Sequence, residues 1–281
     1  MEIILSSMSK HDRPTKLILF GSYARGNWVE EWADDGIHYQ YQSHFDLLAV
    51  MKNGALVRKI ERKRSLYARL QQEVSTPVHL IAEDAYDVTR RLSKGMCFYT
   101  DIVSKGLFLH EVGEPFFIPP CLDANSVALG RLKSKKAARK QQATVDFEHG
   151  FGKAKILMGI VHFCMGKQHY REASFELHQV VECLYDAILL VFSGYKPKTH
   201  DIGKLSQRVA SVEPLFLCVF PQGTEEERNR FEQLRNAYIH SRYQPQFKVK
   251  QDDIEWLVAR VQHLHTLTEQ LCQAKIARCG R

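Results

Sequence analysis

The sequence predicts an α+β chain, in which a small mixed sheet with its helices is followed by an all-α, up-and-down helical bundle. Three observations carry this. Two short apolar runs, Lys16–Phe20 and Phe45–Met51, have the length of strands and are bounded by turn or polar residues. Three prolines fall within Pro115 to Pro120, where neither a helix nor a central strand can continue. Beyond them the apolar spacing is helical almost throughout.

The elements follow in order. Lys16–Phe20 (KLILF) reads as a buried strand stopped by Gly21-Ser22, and Phe45–Met51 (FDLLAVM) as a second. A polar, acidic stretch from Asn27 to Gln42 lies between them. From Leu56 to Val74, the spacing of Leu56, Ile60, Leu66 and Leu70 among many charges predicts one amphipathic helix, and Pro77 to Ala82 a third strand. The expected order is strand, helix, strand, strand, helix, strand. Glu114 to Pro120 closes this region, giving a domain of residues 1–114, a linker at 115–124 and a helical domain over 125–281. The helical segments are expected at roughly 125–166, 171–193, 201–211, 224–241 and 250–277, with Gly194, Pro197, Pro214, Pro221, Gly223 and Pro245 in the connections.

Length and composition agree with two domains, since 281 residues can bury two separate cores. No segment approaches about 18 uninterrupted apolar residues, and Met1 to Lys10 lacks the basic start and apolar run of a signal peptide. A cytoplasmic protein with no membrane partner is therefore expected. The seven cysteines form no CxxC pair and are scattered, which argues against a disulfide framework or a zinc site. The net charge of +7 is unevenly shared: residues 1–114 hold 15 Lys/Arg against 15 Asp/Glu, and 115–281 hold 24 against 17. Arg131, Lys133, Lys135, Lys136, Arg139 and Lys140 supply much of the excess. They suit a phosphate backbone as partner, and equally a solvated helix start.

Gly21-Ser22 directly after a buried strand can turn backbone N–H groups and a hydroxyl towards a phosphate, with glycine admitting close approach. Followed by Ala24-Arg25-Gly26 and later by Asp46 inside the second strand, this GSxARG pattern resembles the minimal nucleotidyltransferases of the DNA polymerase β superfamily, over roughly residues 15–110. The resemblance implies a nucleoside triphosphate such as ATP at Gly21, Ser22, Arg25 and Asp46, with Mg2+ or Mn2+ held by a D-x-D pair on the second strand. Here that pair reads His44-Phe45-Asp46, and a third acid on the neighbouring strand is replaced by His79. Three readings stand: a fold that binds a nucleotide without transfer or only shapes the protein, active transfer using Asp46 with Asp34 or Asp35, and a softer metal held by His44, Asp46 and His79. A packed, hydrogen-bonded histidine is the plain alternative for each imidazole.

The second pattern is Leu234-Arg235-Asn236-Ala237-Tyr238-Ile239-His240-Ser241-Arg242-Tyr243 at a helix end. Metal-independent RNA cleavage needs a base for the 2′-OH, an acid for the leaving oxygen and a cation for the phosphorane. Histidine titrates near neutrality and arginine offers a fixed fork, so His240 and Arg235 suit these roles, with Asn236 one turn from His240 to orient it. The R-x4-H spacing is similar to that of HEPN domains, as are the helix Phe175 to Phe192 with His178 and Glu182 and the segment Lys196 to Asp201, over about residues 125–275. Residues five apart on a helix differ by about 140° around its axis. One copy cannot easily aim both at one phosphate, so a homodimer through the helical domain with a shared groove is expected. His178 and Glu182 lie opposite the Val180, Leu184, Ile188 and Val191 stripe and would line that groove or form an exposed pair; Arg235 and His240 have a helix-end cation pair as their plain alternative. Tyr238 and Tyr243 are placed to stack on a base, to be modified or only to pack.

Together the two resemblances imply a nucleotidyltransferase and HEPN fusion, a pair that works in prokaryotes as antitoxin and toxin. They imply RNA as partner and no cofactor at the HEPN site. In two-chain relatives the transferase adds AMP to a tyrosine two residues after the histidine; here that position is Arg242, and the tyrosine is Tyr243. The alternative is an active nucleotidyltransferase acting on a small molecule or a protein, with the helical domain binding the acceptor. A third reading makes both sites relics of an interaction scaffold.

Overall fold

A computed structural model of the chain describes residues 1–26, 32–34, 37–39, 44–93, 96–113 and 129–279. They fall into two compact units, Met1–Trp32 with Gln40–Lys133 and Ala33–Tyr39 with Ser134–Arg281. The expected linker at 115–124 lies outside the described residues.

In the first unit α1 (Glu2–Ser6) and a 3-10 turn precede β1 (Lys16–Phe20) and the single-turn α2 (Gly21–Arg25). Next along the chain, the short strands β2 (Trp32–Asp34) and β3 (Ile37–Tyr39) pair with each other, Ala33–Tyr39 being grouped with the second unit, and β4 (Phe45–Met51) returns to the first. The expected single helix between the second and third strands is two helices, α3 (Gly54–Glu61) and α4 (Arg64–Glu73). Asn53 caps the first by accepting the Leu56 N–H, and the helix breaks at Arg62-Lys63 while Ile60, Leu66 and Leu70 all reach one core. Then come β5 (Val78–Asp84), α5 (Ala85–Ser93), α6 (Cys97–Lys105) and β6 (Leu107–Glu111).

The sheet order is β5-β4-β1-β6. β1 runs antiparallel to β4 and β6, while β4 and β5 are parallel, so the sheet is mixed as expected. Alternation along the strands sends Leu17, Leu47, Ala49, Met51 and Ala82 to one face, against Ile4, Ile60, Leu66 and Leu70. Ile18 belongs to the opposite face, which α6 covers. At Gly106, after α6, an added Cβ would lie 2.6 Å from Ile18 Cγ2, which shows how closely the turn into β6 approaches β1.

The second unit holds α7 (Leu129–Gly166), α8 (Tyr170–Ser193), α9 (Ile202–Val212), a 3-10 turn (Pro214–Val219), α10 (Glu225–Tyr243) and α11 (Gln251–Cys279). α8 is the central helix, packed against α9, α10 and α11, and it buries Leu177, Val180, Val181, Leu184, Ile188 and Val191. α7 contributes Ala143, Phe147, Ala154, Met158 and Val161 to the same core, and Gly150 lets it approach Ala187 of α8. The start of α10 is fixed by a capping box between Thr224 and Glu227. Gly194 ends α8 in the left-handed conformation.

Candidate functional site

In the first unit, β1 delivers its end to the turn at Gly21, and β4 begins beside it with Phe20 opposite Asp46. Gly21 has φ +79°, and a Cβ there would lie 2.5 Å from Asp46 Oδ2, so glycine is required by conformation and by space. Asp46 is buried against this turn. Parallel pairing places His79 of β5 level with Asp46, with Nδ1 3.7 Å from Oδ1, too long for a hydrogen bond; His79 Nδ1 is buried without a partner. Tyr23 packs on Phe45 at 4.3 Å between ring centres, and Arg25 is exposed.

The site therefore gathers Gly21, Ser22 and Asp46, with His79 at the rim. One carboxylate beside an imidazole does not fit a hard divalent ion that prefers several oxygens. Among the described residues no group of three or more His, Cys, Asp or Glu side chains is placed to hold a metal. His44, Asp46 and His79 thus do not form a ligand triad. The side chains of Asp34 and Asp35 lie outside the described residues.

In the second unit the arginine of the R-x4-H pattern is already engaged. Asp201 grips the Arg235 guanidinium in a two-pronged pair, Nε to Oδ1 at 2.7 Å and Nη2 to Oδ2 at 2.8 Å, and Nη1 donates to Glu232 Oε1 at 3.0 Å. Asp201 also caps α9, accepting from the Gly203 N–H at 3.0 Å. Burial works to raise the Asp201 carboxyl pKa, but the hydrogen bonds and charge of Arg235 hold it below its ordinary value. The hydrogen bond to Asp201 likewise raises the Arg235 pKa. Two guanidinium N–H groups, one on each Nη, remain for a further acceptor.

His240 points elsewhere. Its ring packs edge-on to Phe247 at 5.6 Å between centres, beyond the end of α10, whereas Arg235 faces the start of α9. Asn236 is exposed one turn before His240. The far end of α10 is tied to α8, where the Arg171 guanidinium donates to the Ser241 carbonyl.

His178 is not a groove residue. Its ring is 0% exposed, with Nδ1 3.0 Å from the Leu234 carbonyl oxygen and Nε2 3.1 Å from that of His200. It pins α10 and the approach to α9 onto α8, one residue before Arg235 and one before Asp201. Burial pushes its pKa down, favouring a neutral ring that can donate to only one of the two carbonyls. The amphipathic wheel of α8 misled here because this helix is covered on several sides.

Glu182, one turn on, is mostly buried, with Oε2 turned towards His178 and 4.0 Å from its Nε2. Oε1 accepts from His200 Nδ1 at 2.9 Å, and the His200 ring, 63% exposed, stacks on Tyr238 at 5.0 Å and 12°. Arg242 lies over the same tyrosine, its guanidinium carbon 4.2 Å from the ring centre. Tyr238 is thus flanked by its own neighbours, whereas Tyr243 is 71% exposed.

The HEPN domain family matches residues 160–271. The helical unit carries a HEPN domain. The match begins part-way along α7 and takes in α8, α9, α10 and most of α11. No curated protein matches the chain. Among solved structures, the chain is similar to a nucleotidyltransferase-like protein from Exiguobacterium sibiricum 255-15, at 12% identity and a TM-score of 0.29, over 91% of this chain and 69% of that one.

Within the HEPN domain the sequence singled out Arg235, His240 and Tyr243, which all stand on α10, and passed over what surrounds them. Asp201 and His200 stand in a segment noted only as family-like. The signal was present: an acid immediately before the helical pattern of Ile202, Leu205 and Val209 is an N-cap in waiting. That it would also grip Arg235, 34 residues away, is a tertiary fact. Chemically, the region offers a fixed guanidinium with two spare donors, an exposed imidazole on a carboxylate, and a second imidazole one turn beyond.

Proposed function

We propose that the protein is a metal-independent ribonuclease or RNA-binding protein of the HEPN kind. It acts as a homodimer, and the amino-terminal unit is a nucleotidyltransferase-like regulator that holds a nucleotide without transferring it. The carrying observation is the divergence of Arg235 and His240 on an otherwise intact R-x4-H helix, since a second copy can supply the group that the first turns away.

In this reading a histidine takes the 2′-OH proton, the 2′-oxygen attacks phosphorus, and the phosphorus bond to the 5′-oxygen breaks as an imidazolium returns a proton to it. The product is a 2′,3′-cyclic phosphate. His240 takes one proton-transfer role and Arg235 steadies the phosphorane through its free N–H groups. His200, oriented by Glu182, is a candidate for the other role, because a carboxylate on Nδ1 fixes the ring and leaves Nε2 outward.

Labelled RNA incubated in EDTA tests this. The wild type is expected to cleave, His240→Ala and Arg235→Ala to lose at least about a hundredfold, the usual share of one acid-base or charge-stabilising group. Loss of all cleavage on chelation would sink the reading. The turn at Gly21 and Asp46 favours a second reading, nucleotidyl transfer to a small molecule or protein; label transfer from α-labelled ATP with magnesium or manganese would establish it in place of the first.

A further inference from the structure

α7 carries an open apolar line on the face away from its core. His149, Ile156 and Phe163 are spaced by seven, and so are Gly152, Gly159 and Gly166; together they step by three and four. That is the heptad seam of a two-helix coil. Ile156 is 72% and Phe163 66% exposed, and a Cβ added at any of the three glycines would meet nothing within 4 Å. The opposite face, with Phe147, Ala154, Met158 and Val161, is buried in the helical core, so among the described residues of its own unit the seam has no partner. No charged residue interrupts it over about five turns. Monomers rarely leave such a line uncovered.

The pattern of large and absent side chains matches itself. A two-fold axis crossing α7 between residues 157 and 158 runs two copies antiparallel. It sets Phe163 against the partner's Gly152, Ile156 against the partner's Gly159 and His149 against the partner's Gly166. Every knob meets a hole, and the glycines let the axes come closer than the usual 8–10 Å or so. A parallel pair in register would instead set knob on knob. Charge agrees: Asp146 and Glu148 flank one end of the line, and Lys167 and His169 follow the other. Antiparallel copies bring acid near base at both ends, where parallel copies oppose like charges.

We propose that α7 is an interface for a second copy of this chain, an antiparallel pair zipped by Ile156 and Phe163 over Gly152 and Gly159. It does not rest on RNA cleavage, and it uses a different helix from the one bearing Arg235 and His240.

Sedimentation of the full chain over a micromolar range tests it, with circular dichroism confirming that each variant keeps its helices. The wild type should associate, Ile156→Glu should be monomeric, and Gly159→Leu should weaken association by filling the hole. Asp146→Lys should weaken it, and adding Lys167→Glu should restore it. A wild type that stays monomeric overturns the proposal, as does a dimer indifferent to Ile156→Glu. If that dimer is instead lost in Ile239→Glu, on the exposed face of α10, the pairing needed for a shared ribonuclease groove survives while the α7 seam fails. Loss in Ile156→Glu alone has the opposite meaning.

Discussion

Asp201 does two jobs with one carboxylate. It caps α9 and fixes the fork of Arg235, so its removal costs both a cap and a pair. Asp201→Ala is expected to destabilise the helical unit by about 1–2 kcal/mol, most of it from the cap, because the ion pair is partly exposed and screened. Denaturant midpoints read this, and Asp201→Asn should recover the cap portion. His178 makes a different prediction. Its pKa is lowered in the fold, so the unfolded chain binds more protons as pH falls below the ordinary histidine value near 6.5. Stability of the helical unit should therefore hold at neutral pH and fall on acidification through that range. His265, also lowered by burial, adds to the same slope. In His178→Gln the pH dependence of the thermal midpoint should flatten; an unchanged slope would assign it elsewhere.

At the scale of elements, Gly21 is constrained both by its left-handed φ and by the carboxylate beside it. Gly21→Ala introduces a left-handed φ for an L residue, worth about 1–2 kcal/mol, and drives a methyl group into Asp46. The first unit should melt earlier while the helical unit is unchanged. Much of this was legible in the sequence: KLILF and FDLLAVM gave both strands to the residue, since apolar runs between turn residues leave little choice. The five bundle helices fell within a few residues of their expected ends, because periodic apolar spacing is a local property. The split of α3 from α4 was not legible, because the core side chains of both keep a plausible single-helix spacing and only the non-helical backbone at Lys63 breaks it. The burial of His178 escaped for the converse reason: polarity suggested an open face, and only the neighbouring helices decide that two carbonyls close over it.

On the scale of the whole molecule, the two units carry unequal chemistry. The sheet unit presents a tight turn with one buried carboxylate, and the HEPN domain presents arginine, two outward histidines and their orienting acids. The excess positive charge belongs to the same half of the chain. On the proposed reading, affinity for RNA should fall steeply with salt, and neutralising Arg139 and Lys140 should reduce that slope by roughly one unit for each phosphate they pair with, whatever the RNA sequence. A salt slope unaffected by these changes would remove the start of α7 from the RNA path. Motif spacing located Arg235 and His240 but not the directions they face, nor the roles of His200 and Asp201 beside them.

Lys16 opens β1 almost fully buried, with its ammonium 2.6 Å from Glu111 at the far end of the last strand. The pair ties the first strand of the unit to its last, 95 positions later, across the antiparallel β1 and β6. Anyone cutting the chain to study its halves inherits a rule from this. A fragment ending before Glu111 takes away the acid to which this buried ammonium donates and an edge of the sheet with it, so failure of that fragment to fold would say nothing about the independence of the unit. The cut belongs after the acid, where the first unit keeps Glu111 beside Lys16.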